Sequence, residues 1–473
     1  MRKKMIYSLF LLLAATTMQA QEYMTLHKAR QMALKKSEDL KIAESTLDKS
    51  VYDQKAARTS YLPVISASAT GIYLADDFGS EMYLPTYTAD GVTGELQPNL
   101  ILDQNGQPLV GSDGSQLFSL YAFLPLELSL KGAYLAGIKV EQAIFTGGKI
   151  SSGNRMADIG VEMAKENLDI QRMRTIVEAD KSYWLYVSVQ SKVKLAETNL
   201  YMLGALLKGA QDSYDVGLAK RNEVLKVQVE FDKARLDLQK AQSGLELTRM
   251  SLCRVTGLDF ATAIKTDSIR VVSDEFRQQT GDEDVTLRPE YRLLNKNIEL
   301  EEKRISNVRS DYLPTIGLSA GYDYLGHVEL SDNKINEGMV NVMANVKIPL
   351  FNWGEGRQKV AAAQVVKSIK EQELEKNKQL MQLEIRKAKL NLKDAALRIQ
   401  ISEDALLQAA ENLRVSKDNY DVGRELMTDL LIAQTQWQRA SSELIEAQTS
   451  YKLSETEYLR VTSQLLSGES TGK

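Results

Sequence analysis

At 473 residues the chain allows two to four domains at the usual ~100 to 200 residues each, or one elongated fold built on a repeat. A hydrophobic content of 43% with 26% charged residues excludes a helical membrane protein, and 28 glycines with 8 prolines exclude a collagenous or proline-rich disordered chain. Two histidines and one cysteine, Cys253, argue against imidazole acid–base chemistry, thiolate metal sites and a disulfide framework, and a formal charge of −4 gives no sign of a nucleic-acid partner.

Arg2, Lys3 and Lys4 precede the apolar run Ile6 to Ala15, and small or polar residues follow up to Ala20. This is the pattern of a secretory signal peptide, residues 1–20, cleaved near Ala20. The run is far short of the ~20 residues of a membrane-spanning helix. No cysteine stands near the cleavage point, so a lipid anchor is not expected. No later stretch holds 18 apolar residues, so any entry into a membrane has to be as β-strands.

From residue 21 on, the chain is written twice. Tyr61-Leu62-Pro63 and the residues after it recur at Tyr312-Leu313-Pro314, an offset of 251. Further on the offset is 206: Phe145 matches Phe351, Tyr214-Asp215-Val216-Gly217 matches Tyr420-Asp421-Val422-Gly423, and Arg254-Val255-Thr256 matches Arg460-Val461-Thr462. The difference of 45 residues is a loop insertion, placed at 76–130, where glycines, prolines and Asn105-Gly106 supply turn chemistry. Within it, Leu117 to Leu130 either extends the second strand or caps the outer mouth. Each copy reads helix, strand, strand, long helix, turn, helix. Repeat one is 21–256, with strands at 61–74 and 133–145. A crossover occupies 257–286, and repeat two is 287–473, with strands at 312–325 and 339–351.

In the second hairpin, Ile316, Leu318, Ala320, Tyr322 and Tyr324 alternate with Thr315, Gly317, Ser319, Gly321 and Asp323, as do Val340, Val342, Ala344 and Val346 with polar neighbours. Strands crossing a bilayer around a wet interior alternate this way, and so does a half-buried sheet in a soluble sandwich. The helices favour the first. Ile385, Leu392, Ile399, Leu406, Leu413 and Tyr420 recur every seven residues with a companion seam at Ala388, Ala395 and Ala409, and Ala179, Tyr186, Val193, Leu200, Leu207 and Tyr214 do the same in the first copy. A second line, Leu383, Leu390 and Leu397, implies neighbours on two sides, as in a cylinder of helices. Lys149 to Ser213 makes a helix of roughly 100 Å, nearly matched by Asn222 to Thr256 and Leu287 to Ser310 stacked end to end. Four strands cannot close a barrel in lipid, where every open edge leaves unpaired backbone groups. Several chains must share one, and three would supply twelve strands.

These residues resemble the TolC family of outer-membrane channels. The carriers are the two Tyr-Leu-Pro strand starts, Arg288-Pro289-Glu290, the strand ends Phe145-Thr146-Gly147-Gly148 and Phe351-Asn352-Trp353-Gly354, and the paired Tyr-Asp-Val-Gly turns. The resemblance implies a mainly α fold with a membrane β-barrel portion: a homotrimer with one twelve-stranded barrel in the outer membrane of a Gram-negative bacterium and an α-helical tunnel in the periplasm. It implies a periplasmic adaptor and an inner-membrane pump as partners, for efflux or type I secretion, with no cofactor and no catalysis.

The two turns are helix-reversing glycine caps, and the resemblance makes them the periplasmic mouth. Val216, Gly217, Leu218, Val422, Gly423 and Arg424 are the expected adaptor-docking residues. Six residues after each glycine stands an acid, Glu223 and Asp429. Carboxylates repeated around a narrow mouth concentrate cations, and the resemblance makes Asp429 a gate residue. The family's second acid is replaced by Ile432, and where a basic latch is expected this chain has Glu425, beside Arg424. His27, His327 at a hairpin tip and Cys253 read as ordinary surface or packing residues, and Asp103 to Gly106 as a turn. The competing reading is a periplasmic coiled-coil adaptor without a pore. Cargo is not legible.

Overall fold

A computed structural model describes residues 22–73, 84–85, 87–89, 95–112, 114, 116–117, 121–122, 128–129, 132–269, 284–330 and 333–467. The expected signal peptide and residues 270–283 of the expected crossover lie outside the described residues. The elements in chain order are β1 (Glu22–Tyr23), α1 (Leu26–Lys36), α2 (Glu38–Thr59), β2 (Val64–Tyr73), β3 (Leu84–Pro85), β4 (Tyr87–Ala89), β5 (Leu96–Pro98), β6 (Tyr121–Ala122), β7 (Leu128–Ser129) and β8 (Gly132–Phe145). They continue with α3 (Lys149–Asp215), α4 (Arg221–Thr256), β9 (Ile264–Lys265), α5 (Pro289–Ser310), β10 (Thr315–Leu330), β11 (Asn333–Lys347), α6 (Glu355–Asp421), α7 (Met427–Val461) and α8 (Gln464–Ser467). The chain divides into a helical unit, Met1–Gln54, Arg155–Lys303 and Ala362–Lys473, and a sheet unit, Lys55–Asn154 and Arg304–Ala361.

In the helical unit the heptads do what their spacing predicts over most of their length. Ile385, Leu392 and Ile399 of α6 are buried against Ala447, Tyr451 and Tyr458 of α7, and Tyr186 and Val187 of α3 against Leu252 and Cys253 of α4. Toward the helix ends the seam loosens: Leu200, Leu207, Leu406 and Ala409 are half-buried and Tyr214 is exposed. The second line, Leu383, Leu390 and Leu397, stays 62%, 61% and 55% exposed in the single chain. The first helix is broken in two at Ser37, whose N–H donates to Ala33 O while its Oγ accepts from Leu40 N. β1 pairs with β9 in parallel, and the Tyr186 hydroxyl donates to the Ile264 carbonyl at 2.7 Å.

Two charge clusters pin these helices. Asp180 of α3 has a fully buried side chain; it accepts two hydrogen bonds from Arg30 of α1, at 2.7 and 2.6 Å, and one from Thr456 of α7 at 2.8 Å. Arg288, also buried, donates to Glu384 of α6 at 2.7 Å, and Arg460 of α7 reaches the same carboxylate. Burial alone would raise the Glu384 pKa, but the Arg288 hydrogen bond and the two guanidinium charges outweigh it and hold the group below the ordinary carboxylate value. α5 starts at Pro289, two residues later than Leu287, because a short 3-10 turn, Val285–Leu287, precedes it. Proline suits a first helical position and restricts the residue before it.

The sheet unit holds four long antiparallel strands in the order β11-β10-β8-β2. The register puts Ile65, Val140, Ala320 and Val342 in one row and Ala67, Ile138, Tyr322 and Val340 in another, all on one face. Val342 and Ile65 are 75% and 71% exposed. The other face carries Ser66, Lys139 and Asn341 in one row and Ser68, Asp323 and Met339 in the next, with Asn341 bonded to Asp323. Among the described residues, β2 and β11 each pair on one side only.

Strand boundaries differ from the expected ones at both ends. The Tyr-Leu-Pro segments are helix exits rather than strand starts: Leu62 N–H donates to Thr59 O and Leu313 N–H to Ser310 O, so the strands begin after Pro63 and Pro314. β11 runs Asn333–Lys347 rather than 339–351. His327 is therefore not at a hairpin tip. It lies inside β10 at a bulge between Leu325 and Val328, with φ +63°, and its N–H donates to Asn336. In the insertion, β4 pairs with β5 and β3 with β6, while β7 pairs with the far end of β10, so part of Leu117 to Leu130 does extend the β8 edge. Asp103 Oδ1 accepts from Asn105 N and Gln107 N, which makes this segment the expected turn.

Gly137 lies under Asp323. An added Cβ there would sit 2.0 Å from Asp323 Oδ1 and 2.9 Å from the Tyr322 carbonyl, whereas at Gly71 it would meet nothing within 4 Å. Gly137→Val is expected to cost about 1–3 kcal/mol by forcing β8 and β10 apart, and Gly71→Ala to change little. Thermal unfolding of the two variants in detergent checks this: equal midpoints would contradict the close packing.

Candidate functional site: the two helical turns

The turns after α3 and α6 have the same backbone. Gly217 has φ +81° and Gly423 φ +72°, the left-handed region glycine reaches without penalty. Gly217 N–H donates to Tyr214 O at 2.9 Å and Leu218 N–H to Ser213 O at 2.8 Å. Gly423 N–H donates to Tyr420 O at 2.9 Å and Arg424 N–H to Asn419 O at 2.8 Å. These bonds satisfy the last helical carbonyls as in a Schellman cap. Val216, Leu218 and Val422 are exposed, and Arg424 forms no ion pair among the described residues.

Glu223 and Asp429 each fall in the first turn of the following helix, where Lys220 and Leu426 give no side-chain cap. A carboxylate there interacts favourably with the helix dipole, about 0.3–1 kcal/mol, so each acid has a local role whatever else it does. Asp429 is exposed and Glu223 half-buried, and neither forms an ion pair among the described residues. Burial, with the charges of Glu223 and Asp421, raises the Tyr420 pKa.

The turns are packed together: Ala210, Val227 and Met427 form one buried cluster joining α3, α4 and α7. Lys226 Nζ donates to Thr428 Oγ1 at 3.0 Å, next to Asp429, and Glu425 bonds to Ser416 of its own hairpin. A cleft of about 540 Å³ lies between α3, α6 and α7, lined among others by Met202, Leu413, Tyr420 and Gln434. Sequence reasoning missed Lys226, Thr428 and a buried amide ladder in which Gln434 donates to Asn199 at 2.7 Å and Asn199 to Gln438 at 3.0 Å. Part of the signal was there: Gln434 and Gln438 stand four residues apart, on one face of α7.

The sequence pattern of the family described as outer membrane efflux protein matches residues 121–258 and 288–460. The chain belongs to this outer membrane efflux protein family. A curated relative, Outer membrane protein TolC of Vibrio cholerae serotype O1, is 23% identical over 289 residues, 59% of this chain and 65% of that protein. Among solved structures, the Campylobacter jejuni CmeC outer membrane channel superposes with TM-score 0.71 at 16% identity, covering 94% of this chain and 89% of that one. A CusC structure gives TM-score 0.71 at 13% identity, over 92% and 91%. At these identities the likeness is one of fold: mainly helical with a strand portion, as in the family's channels. The competing reading, an adaptor without a pore, is not favoured by the family match.

Proposed function

We propose that the chain is the outer-membrane exit duct of a tripartite efflux or secretion system, passing solute without chemistry. The observation that supports the reading is the set of four long strands: one apolar face, one mainly polar face and, among the described residues, two edge strands paired on one side only. In lipid each unpaired backbone group costs several kcal/mol, so the edges must be met by other copies. Three copies give a closed barrel of twelve strands with the polar rows inside, and helices whose exposed Leu383 line is covered by the next copy. Cleavage near Ala20 and a non-lipidated outer-membrane location belong to the same proposal, as does the division into two repeats, 21–256 and 287–473, joined by a crossover.

The two turns are then the gated periplasmic mouth. Asp429, repeated by symmetry, is the acidic ring, with Glu223 behind it, and the Lys226–Thr428 bond ties the neighbouring hairpins of one chain. Asp429→Ala is expected to raise single-channel conductance in planar bilayers or to abolish block by multivalent cations added on the turn side. Unchanged conductance with unchanged block would take Asp429 out of the gate.

Val216, Gly217, Leu218, Val422, Gly423 and Arg424 are the proposed adaptor contact, and energy comes from an inner-membrane pump. An added Cβ at Gly423 meets nothing within 4 Å, so the cost of Gly423→Val is the left-handed backbone alone, about 1–3 kcal/mol. It is expected to weaken adaptor capture while assembly persists. Full capture and export by this variant would count against the contact.

A further inference from the structure

Four helix ends border the sheet, and their charge is lopsided. Among the described residues of the four helix ends and their exits within the sheet unit, Lys55 and Arg58 of α2, Lys149 of α3, Arg304 and Arg309 of α5, and Arg357 and Lys359 of α6 stand beside the carboxylates Asp311 and Glu355, while the nearby Glu141 of β8 pairs with Lys139 of its own strand. The chain as a whole carries −4.

The ends stand side by side in the order of their strands. Asn154 Nδ2 donates to Ala57 O at 3.0 Å and Asn307 Nδ2 to Lys149 O at 3.4 Å, and a Cβ on Gly356 would lie 2.7 Å from the Tyr312 ring. Both carboxylates are already paired, Asp311 with Lys149 at 2.7 Å and Glu355 with Lys359 at 2.6 Å. Arg309 and Arg357 are exposed and form no ion pair among the described residues.

Beside these cations lie large apolar side chains with little to cover them. Leu350 and Trp353 are each 90% exposed, Phe351 packs edge-on to Trp353 at 4.8 Å, and Tyr61, Leu62 and Phe145 are exposed as well. An aromatic row next to a cationic row, at the end of strands with an apolar outer face, matches the chemistry of the bilayer interface. Rings with one apolar and one polar side settle at the headgroup level, and guanidinium groups take phosphate oxygens two at a time.

We infer that this collar is a docking surface for anionic phospholipid headgroups. The inference rests on the sheet being membrane-spanning and adds a requirement that reading does not contain: association depends on lipid charge.

The test uses the full chain in detergent, mixed with vesicles of phosphatidylcholine alone or of phosphatidylcholine with phosphatidylglycerol, and flotation to read the bound fraction. Association is expected to rise with phosphatidylglycerol and to fall with salt. The double variant R309Q/R357Q should lose roughly tenfold of its affinity for anionic vesicles, at about fivefold per charge less screening, and R309K/R357K should keep most of it. Inorganic phosphate at matched ionic strength should compete no better than chloride. Equal binding to both vesicle types, or R309Q/R357Q binding like the parent, overturns the inference. Helicity of the variants by circular dichroism excludes misfolding as the cause. Equal insertion into both vesicle types sinks this inference alone, whereas a chain that enters neither and carries no current sinks the channel reading itself.

Discussion

Asp180→Ala is expected to destabilise the helical unit by about 3 kcal/mol. The carboxylate is fully buried and accepts all three of its hydrogen bonds from other helices, two from Arg30 and one from Thr456. Removing it leaves a guanidinium and a hydroxyl without their acceptor in a place water reaches poorly. Arg30 is 22% exposed at its side chain, so part of its charge regains solvent, which sets the loss toward the lower end of the range for broken buried pairs. Asp180→Asn keeps the shape and an acceptor for Thr456 and should lose less. Unfolding in urea followed by far-ultraviolet circular dichroism checks both. An effect of Asp180→Ala within about 0.5 kcal/mol would mean the cluster is not what holds α1 and α7 to α3.

Leu390→Glu is expected to do the reverse: leave the single chain folded and abolish its assembly. Leu383, Leu390 and Leu397 recur every seven residues on α6, and all three are more than half exposed in the chain alone. A glutamate there costs the monomer close to nothing. Covered by a second copy, the same carboxylate is buried without a partner, at several kcal/mol in each interface. Native gels and cross-linking should show monomers of normal helicity. Assembly at the level of the parent would show that no copy covers this line.

Much of this organisation was legible because it repeats. The heptad lines and the alternation of β10 and β11 follow from side-chain periods of 3.5 and 2, which need only local sequence. The turn glycines were readable for the same reason: the bonds to Ser213 and Asn419 need a left-handed residue at Gly217 and Gly423. What was not legible is long-range. Alternation gave the faces of the strands but not that β8 lies between β2 and β10, since pairing Ala320 with Val140 joins residues far apart in the chain. Tyr61-Leu62-Pro63 looked like a strand start because its aromatic and apolar residues suit a strand, yet the backbone bonds of Leu62 and Leu313 belong to the preceding helices. His327 looked like a tip because it follows a glycine, whereas the glycine marks a bulge within a longer hairpin. At the turns, Asp429 was found by its spacing, but the Lys226–Thr428 bond beside it depends on how two hairpins meet.

In the proposed channel, β2 and β11, each paired on one side among the described residues, are joined by further copies of this chain around water. Reconstitution of purified protein into planar bilayers, with the oligomeric state of the same sample read on unheated gels, tests it most directly. A trimer that resists detergent and opens stepwise ionic currents is expected. Monomers that pass no current in lipid would contradict it.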